Sequence, residues 1–300
     1  MFRLLSLLLS ICAASASLEQ PFLDWITANM GSSVAVSLNR IDLTNSGGTG
    51  SFGGGVGPLT RRPVVIVNGR ANDAGQYGGN RATFNASGWD ANHVLATTYG
   101  GGNGGLNYSA YATDNLSCQN VKQIRWMLEA VIGYYNSSID VVAYSMGSPI
   151  ARKAILGGNC VEAGGFNLGS PLTSNIHTYV SVAGANKGAK MCTSGILSFT
   201  GVCTNTTVGL NCASSFYADI NNSTNVGYEG QFRHYIYSNG DEVVGTTLGT
   251  GPKSCGGAAG NPAELPGTAN KTEIATGNHS TTIFTNTAEQ TAAVLTYLNL

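Results

Sequence analysis

Ser145 has the clearest chemistry in this chain. It sits in the run IDVVAYSMGSP, from Ile139 to Pro149. A short apolar strand enters Ala143 to Gly147, and a helix leaves it. That order is a nucleophile elbow, with Ala in place of the usual first Gly. The turn is sharp, so a side chain larger than methyl at 143 or 147 is expected to clash across it. The hydroxyl then stands at the carboxyl edge of a sheet, where open α/β sheets bind ligands. The Met146 N–H begins the helix and can donate to an oxyanion.

A Ser needs a base and an orienting acid to become a nucleophile. On this kind of scaffold the chain order is Ser, acid, His. There are four histidines. His93 precedes Ser145, His177 opens the next strand, and His234 lies inside a strand. His279 remains, in GNHS, a loop shortly before the last helix. The acids available between strand ends and His279 are Glu162, Asp219, Glu229, Asp241, Glu242, Glu264 and Glu273. Asp241 follows the run YIYSNG directly, at a strand end. Glu242 is its nearest competitor and Asp219 a weaker one. The second oxyanion donor is expected after an early strand, and VNGR offers the Arg70 amide. No metal or organic cofactor is expected.

These residues need elements to carry them. PVVIV, ending at Val67, reads as a buried parallel strand. His93–Tyr99, Ile139–Ala143, Thr178–Ala183 and Phe232–Tyr237 read as further strands. Pro21–Met30, Cys118–Tyr135, Pro149–Leu156 and Asn286–Leu298 read as helices; the second has Val121, Ile124, Leu128, Val131 and Ile132 on one face. Strands alternating with helices predict an α/β fold, a mostly parallel sheet with helices on both faces. Residues 44–58 read as Gly-rich loop. Residues 184–230 and 245–278 read as excursions from the sheet. The first is an insertion whose Leu197 and Phe199 make it a candidate cover for the site, or else a surface lobe without contact to substrate.

Composition narrows the setting. Only 10% of residues are charged, against roughly 25% in an average domain. Lys and Arg total 15 and Asp and Glu 16, so no basic patch invites nucleic acid. Arg3, the apolar run to Ile11 and ASA at 14–16 read as a signal peptide over 1–16, leaving a single domain over 17–300. Cys118, Cys160, Cys192, Cys203, Cys212 and Cys255 then remain, an even set expected to pair in an exported protein. Sequons at Asn85, Asn107, Asn115, Asn136, Asn205, Asn222 and Asn270 also fit export and glycosylation.

Taken together, PVVIVNG, ATTYG, CQNVKQIR, VVAYSMG, ARKAILGG and VAGANKG resemble the secreted class 2 lipases, their nematode branch above all. The resemblance runs from about residue 60 to the end and is weakest over 190–230. It implies an α/β-hydrolase with Ser145, Asp241 and His279 as triad, acting outside the cell on carboxylic esters such as acylglycerols. It implies a lipid or small ester as substrate, transient contact with a lipid interface and no stable protein partner. Two positions depart from the family pattern: Asn68 precedes Gly69 where His is usual, and Tyr144 precedes Ser145 where His is common. Acyl transfer on the same fold, or lipid binding without catalysis, are the other functions this pattern allows.

Overall fold

VVIV at 64–67 and IDVVAY at 139–144 are rich in β-branched residues and buried at every position. Strands of that kind lie inside a parallel sheet covered on both faces. The computed structural model describes residues 17–44, 49–102, 114–193, 198, 200–248, 260–268 and 270–299. The expected signal peptide, Leu197 and Phe199 lie outside them. The strands are β1 Ser51–Phe52, β2 Val64–Val67, β3 Val94–Thr97, β4 Ile139–Tyr144, β5 Ile176–Val182, β6 Phe232–Ser238 and β7 Lys271–Ile274. Their order is β1-β3-β2-β4-β5-β6-β7. Only β1 is antiparallel to its neighbour.

Among helices of six residues or more we label α1 Gln20–Met30, α2 Ser32–Asn39, α3 Gly78–Ala86, α4 Cys118–Tyr135, α5 Gly147–Leu156, α6 Ser215–Ile220, α7 His279–Phe284 and α8 Thr287–Leu295. Strand side chains alternate between faces, and the core divides accordingly. Val65, Val67, Val141, Ala143 and Tyr179 pack with α1, α2, α4 and α5. Val64, Ile66, Val142, Tyr144, Val180 and Ile236 pack with Phe84 of α3, Ile283 of α7 and Val294 of α8. This is the α/β fold expected from the alternation, a mostly parallel sheet with helices on both faces.

Several details differ from expectation. β1 lies where only loop was expected over 44–58. Residues 245–278 contain β7, an edge strand with a half-exposed pattern. That strand brings the chain back to the carboxyl edge of the sheet. His279 is therefore not in a loop: it opens α7, whose N-cap Asn278 accepts from the Thr281 N–H at 2.8 Å. Six such residues, rich in Thr and Ser, have little helix propensity of their own; tertiary contacts hold them.

The described residues of the segment over 184–230 are docked rather than loose. Arg152 of α5 is wholly buried and meets Glu229, also wholly buried, at 2.8 Å. Its guanidinium also donates to the carbonyls of Asn186 and Ile220 at 3.1 Å each and to Asn221 Oδ1 at 2.9 Å. Lys153 pairs with Asp219 at 2.8 Å. Disulfides join Cys118 to Cys160 and Cys192 to Cys203. Cys212 is disulfide-bonded as well, and Cys255 lies outside the described residues.

Removing one partner of a buried ion pair strands the other charge. Glu229→Ala should therefore destabilise the protein by about 3–5 kcal/mol in chemical denaturation. The double replacement Arg152→Met with Glu229→Leu should be less destabilising than Glu229→Ala alone. A double variant that is as unstable as the single one would mean that the other Arg152 contacts carry the docking.

Candidate active site

The turn after β4 has the geometry that its small residues suggest. Ser145 has φ of 51°, a left-handed conformation that non-Gly residues rarely take. Hydrogen bonds on both sides of the residue hold it there. Its N–H donates to Val182 O at 3.0 Å, and its carbonyl accepts from Ser148 and Ala185 N–H groups at 3.1 Å each. A Cβ at Gly147 would stand 2.2 Å from Asn68 O, so no side chain fits at 147. At Gly69 a Cβ would come within 3.2 Å of Ser145 Cβ, which keeps the approach to the hydroxyl open.

The carboxyl edges of β4, β6 and β7 bring three of the expected residues together. His279 Nε2 is 2.9 Å from Ser145 Oγ. His279 Nδ1 is 2.8 Å from Asp241 Oδ2. A carboxylate only accepts, so Nδ1 carries the proton and Nε2 is left to accept from the hydroxyl. Asp241 Oδ1 takes the Val243 and Val244 N–H groups at 2.9 and 2.8 Å. Burial pushes the Asp241 carboxyl up, but the His279 hydrogen bond and charge and those two amides outweigh it. The group is held below the usual carboxylate range.

The competing acids are accounted for. Glu242 accepts the His279 backbone N–H at 3.0 Å, so it holds the main chain and not the imidazole. Asp219 is engaged with Lys153. The other histidines are elsewhere: His177 lies beside Thr178 and Asp140, and His234 bonds Thr272.

Met146 is the N-cap of α5, where helix amides have no intrahelical acceptor. Arg70 faces the same cavity across Ser145. The Gly69 N–H is committed to Tyr77 Oη at 2.7 Å. Asn68 is buried beneath this loop. Its amide donates to the carbonyls of Gly69 and Asn72 at 3.0 and 2.8 Å, and its Oδ1 accepts from the Tyr99 N–H at 3.3 Å. Asn68 thus shapes the loop without lining the cavity.

That cavity has a volume of about 220 Å³. One wall is apolar: Ala185, Ala189, Met191 and Leu210 from the insertion, with Val243 and Val244. Ile283 and Phe284 of α7 form another part. Described residues of the insertion thus reach the cavity at Ser145, while Leu197 and Phe199 lie outside the described residues. Met191 sits in a short 3-10 turn, where sequence patterning offers no sign of a lining role. Among the described residues no group of His, Cys, Asp and Glu has the composition of a metal site.

Solved structures with a similar arrangement share little sequence. Aspergillus fumigatus lipase B is 15% identical, with a TM-score of 0.46 over 72% of this chain and 45% of that one. This chain therefore spans less than half of that protein's length. The mature form of a Bacillus licheniformis lipase is 12% identical, with a TM-score of 0.47 over 82% of this chain and 96% of that one. A Paleococcus ferrophilus monoacylglycerol lipase is 12% identical, with a TM-score of 0.46 over 83% and 96%. No curated protein sequence matches the chain significantly. The model of the family described as lipase (class 2) matches residues 61–292, a span that includes Ser145, Asp241 and His279, and the chain belongs to that family.

Proposed function

We propose that this protein is a secreted carboxylic ester hydrolase, acting on acylglycerols through an acyl-enzyme on Ser145. The observation that carries this reading is the continuous contact from Asp241 through His279 to Ser145, at 2.8 and 2.9 Å. Ser145 Oγ attacks the acyl carbonyl while His279 Nε2 takes its proton. The oxyanion of the tetrahedral intermediate is held by the Met146 and Arg70 amides. His279 then returns the proton to the leaving alcohol. Water then attacks the acyl carbonyl while His279 Nε2 takes its proton, and that proton returns to Ser145 Oγ as its bond to the acyl carbon breaks and the acid leaves. Asp241 stays ionised throughout and stabilises the imidazolium. The wall of Ala185, Met191 and Leu210 is the place for the acyl chain. Export rests on the leader over 1–16, the paired cysteines and the sequons; secretion, the nematode branch and glycerides as substrates belong to the same proposal.

Purified protein should react with a fluorophosphonate probe at Ser145. Ser145→Ala should fold normally, lose labelling and lose kcat by a factor on the order of 10⁴ or more. Near-normal turnover in that variant would remove Ser145 from the mechanism.

The acid limb of kcat/KM should be no steeper than about tenfold per pH unit, because the mechanism turns on a single proton transfer. Asp241 remains charged across that limb, since its carboxyl is held below the usual range. A limb with a slope of two would show that Asp241 is protonated in the same window.

Met191→Ser tests the acyl wall. If Met191 gives up on the order of 60 Å² of apolar contact, at about 25 cal/mol per Å², decanoate esters should lose about tenfold more kcat/KM than acetate esters. Equal losses on p-nitrophenyl acetate and decanoate would place the acyl chain elsewhere.

A further inference from the structure

Three polar side chains lie buried directly beneath the site, and the mechanism above uses none of them. Asn80 of α3, Tyr144 of β4 and Gln290 of α8 are at most 2% exposed. Tyr144 Oη donates to Gln290 Oε1 at 2.7 Å. Asn80 Nδ2 reaches Tyr144 Oη, Gln290 Oε1 and Ile283 O at 3.1, 2.7 and 3.0 Å. Gln290 Nε2 donates to the carbonyls of Thr282 and Ile283 at 3.0 and 2.8 Å. The Gln290 amide thus accepts on its oxygen and donates to two carbonyls. Tyr144 is one of the two departures from the family pattern noted above.

What this knot joins gives it meaning. Thr282 and Ile283 lie at the carboxyl end of α7, and His279 is its first residue. The last carbonyls of any helix have no intrahelical donor, and here Gln290 and Asn80 supply them. Tyr144 is the residue before Ser145. The knot therefore bridges the element that begins with His279 and the strand that delivers Ser145. A third element reaches it through Tyr77. Its ring centroid is 4.7 Å from that of Tyr144 and 5.3 Å from that of Phe284. Tyr77 Oη accepts from Gly69 N–H at 2.7 Å and donates to Asn72 Oδ1 at 3.2 Å, on the loop that carries Arg70.

We infer that Tyr144, Gln290 and Asn80 are positioning residues that set the reach of His279 Nε2 to Ser145 Oγ; the inference rests on the hydrolase reading. The physical reason is directionality. Apolar contacts would hold α7 against the sheet, yet let a six-residue helix slide by fractions of an ångström. Hydrogen bonds among fully buried groups permit no such slip, because a partner lost there is not replaced by water. Proton transfer between Ser and His is sensitive on that scale. Burial also raises the Tyr144 hydroxyl well above its ordinary value, so it stays a donor at any pH the enzyme meets.

The test uses the full protein as Tyr144→Phe and Gln290→Met, with Val131→Ala in α4 as a destabilised control. Melting temperature, the rate of fluorophosphonate labelling, and kcat and KM on p-nitrophenyl acetate are measured well below every melting transition. Both site variants should label and turn over between about tenfold and about a hundredfold more slowly, with KM within about twofold. The control should melt earlier but label at the wild-type rate. The double variant should lose no more than the worse single one, since both act through the same knot. Tyr144→Phe keeps the ring packed on Tyr77, so it decides the matter if Gln290→Met does not fold. Site variants that melt earlier but label within about twofold of wild type would overturn the inference and leave the hydrolase reading intact. A wild-type protein that does not label would overturn both.

Discussion

The left-handed backbone at Ser145 is the constraint on which the rest depends. A non-Gly residue with φ of 51° is held at a cost of roughly 1–3 kcal/mol, and only surroundings that over-determine it can keep it there. β5 supplies the Val182 carbonyl, α5 begins without a side chain at 147, and the segment after β5 returns the Ala185 N–H to the Ser145 carbonyl. The sheet, the helix behind it and the start of the insertion are therefore all engaged in one turn. In return, the hydroxyl stands clear of the backbone at the sheet edge. Asp241 and His279 reach the same edge because β6 and β7 run parallel to β4 and extend slightly past its end there.

The parts of this arrangement that could be read in advance are those where local sequence and tertiary setting agree. Cys118–Tyr135 has one apolar face and is a helix with those bounds. The strand into Ser145 is apolar but for Asp140 and central in the sheet. β7 escaped notice because Lys271, Thr272 and Glu273 carry no apolar alternation; as an edge strand it has only one neighbour to satisfy. α7 escaped for the opposite reason. Its residues HSTTIF read as loop, and its helicity depends on Asn278, Glu242, Gln290 and Asn80, which come from four places in the chain. Asp241 could be favoured over Glu242 from its place at a strand end, but only the structure shows that one holds the imidazole and the other the backbone.

Buried polar side chains are the systematic blind spot. Arg152, Asn80 and Gln290 each lie on a helix, where hydrophobic patterning gives no sign of what a polar side chain will meet. All three are buried and bridge elements far apart in the chain. A protein with so few charges uses those it has at junctions: Arg152 ties the insertion to α5, and Arg125 of α4 donates to the carbonyls of Ala154 and Ser170 at 2.9 and 2.8 Å. Neutral amides do the same on the other face of the sheet.

The edge formed by β7 has a bearing on how the molecule behaves in a crowd. An edge strand exposes unpaired backbone groups that another chain can extend, which leads to aggregation. On β7 the exposed positions are Lys271 and Glu273. Glu273 accepts from Tyr237 Oη at 2.7 Å and bonds the Asn239 amide, and Lys271 sits over the Tyr237 ring at 6.0 Å. A second chain adding at this edge would have to desolvate both charges and break those bonds. The four residues that carry the backbone up to His279 thus also act as gatekeepers. Replacing them with a more regular apolar strand would trade colloidal solubility for a better-looking sheet.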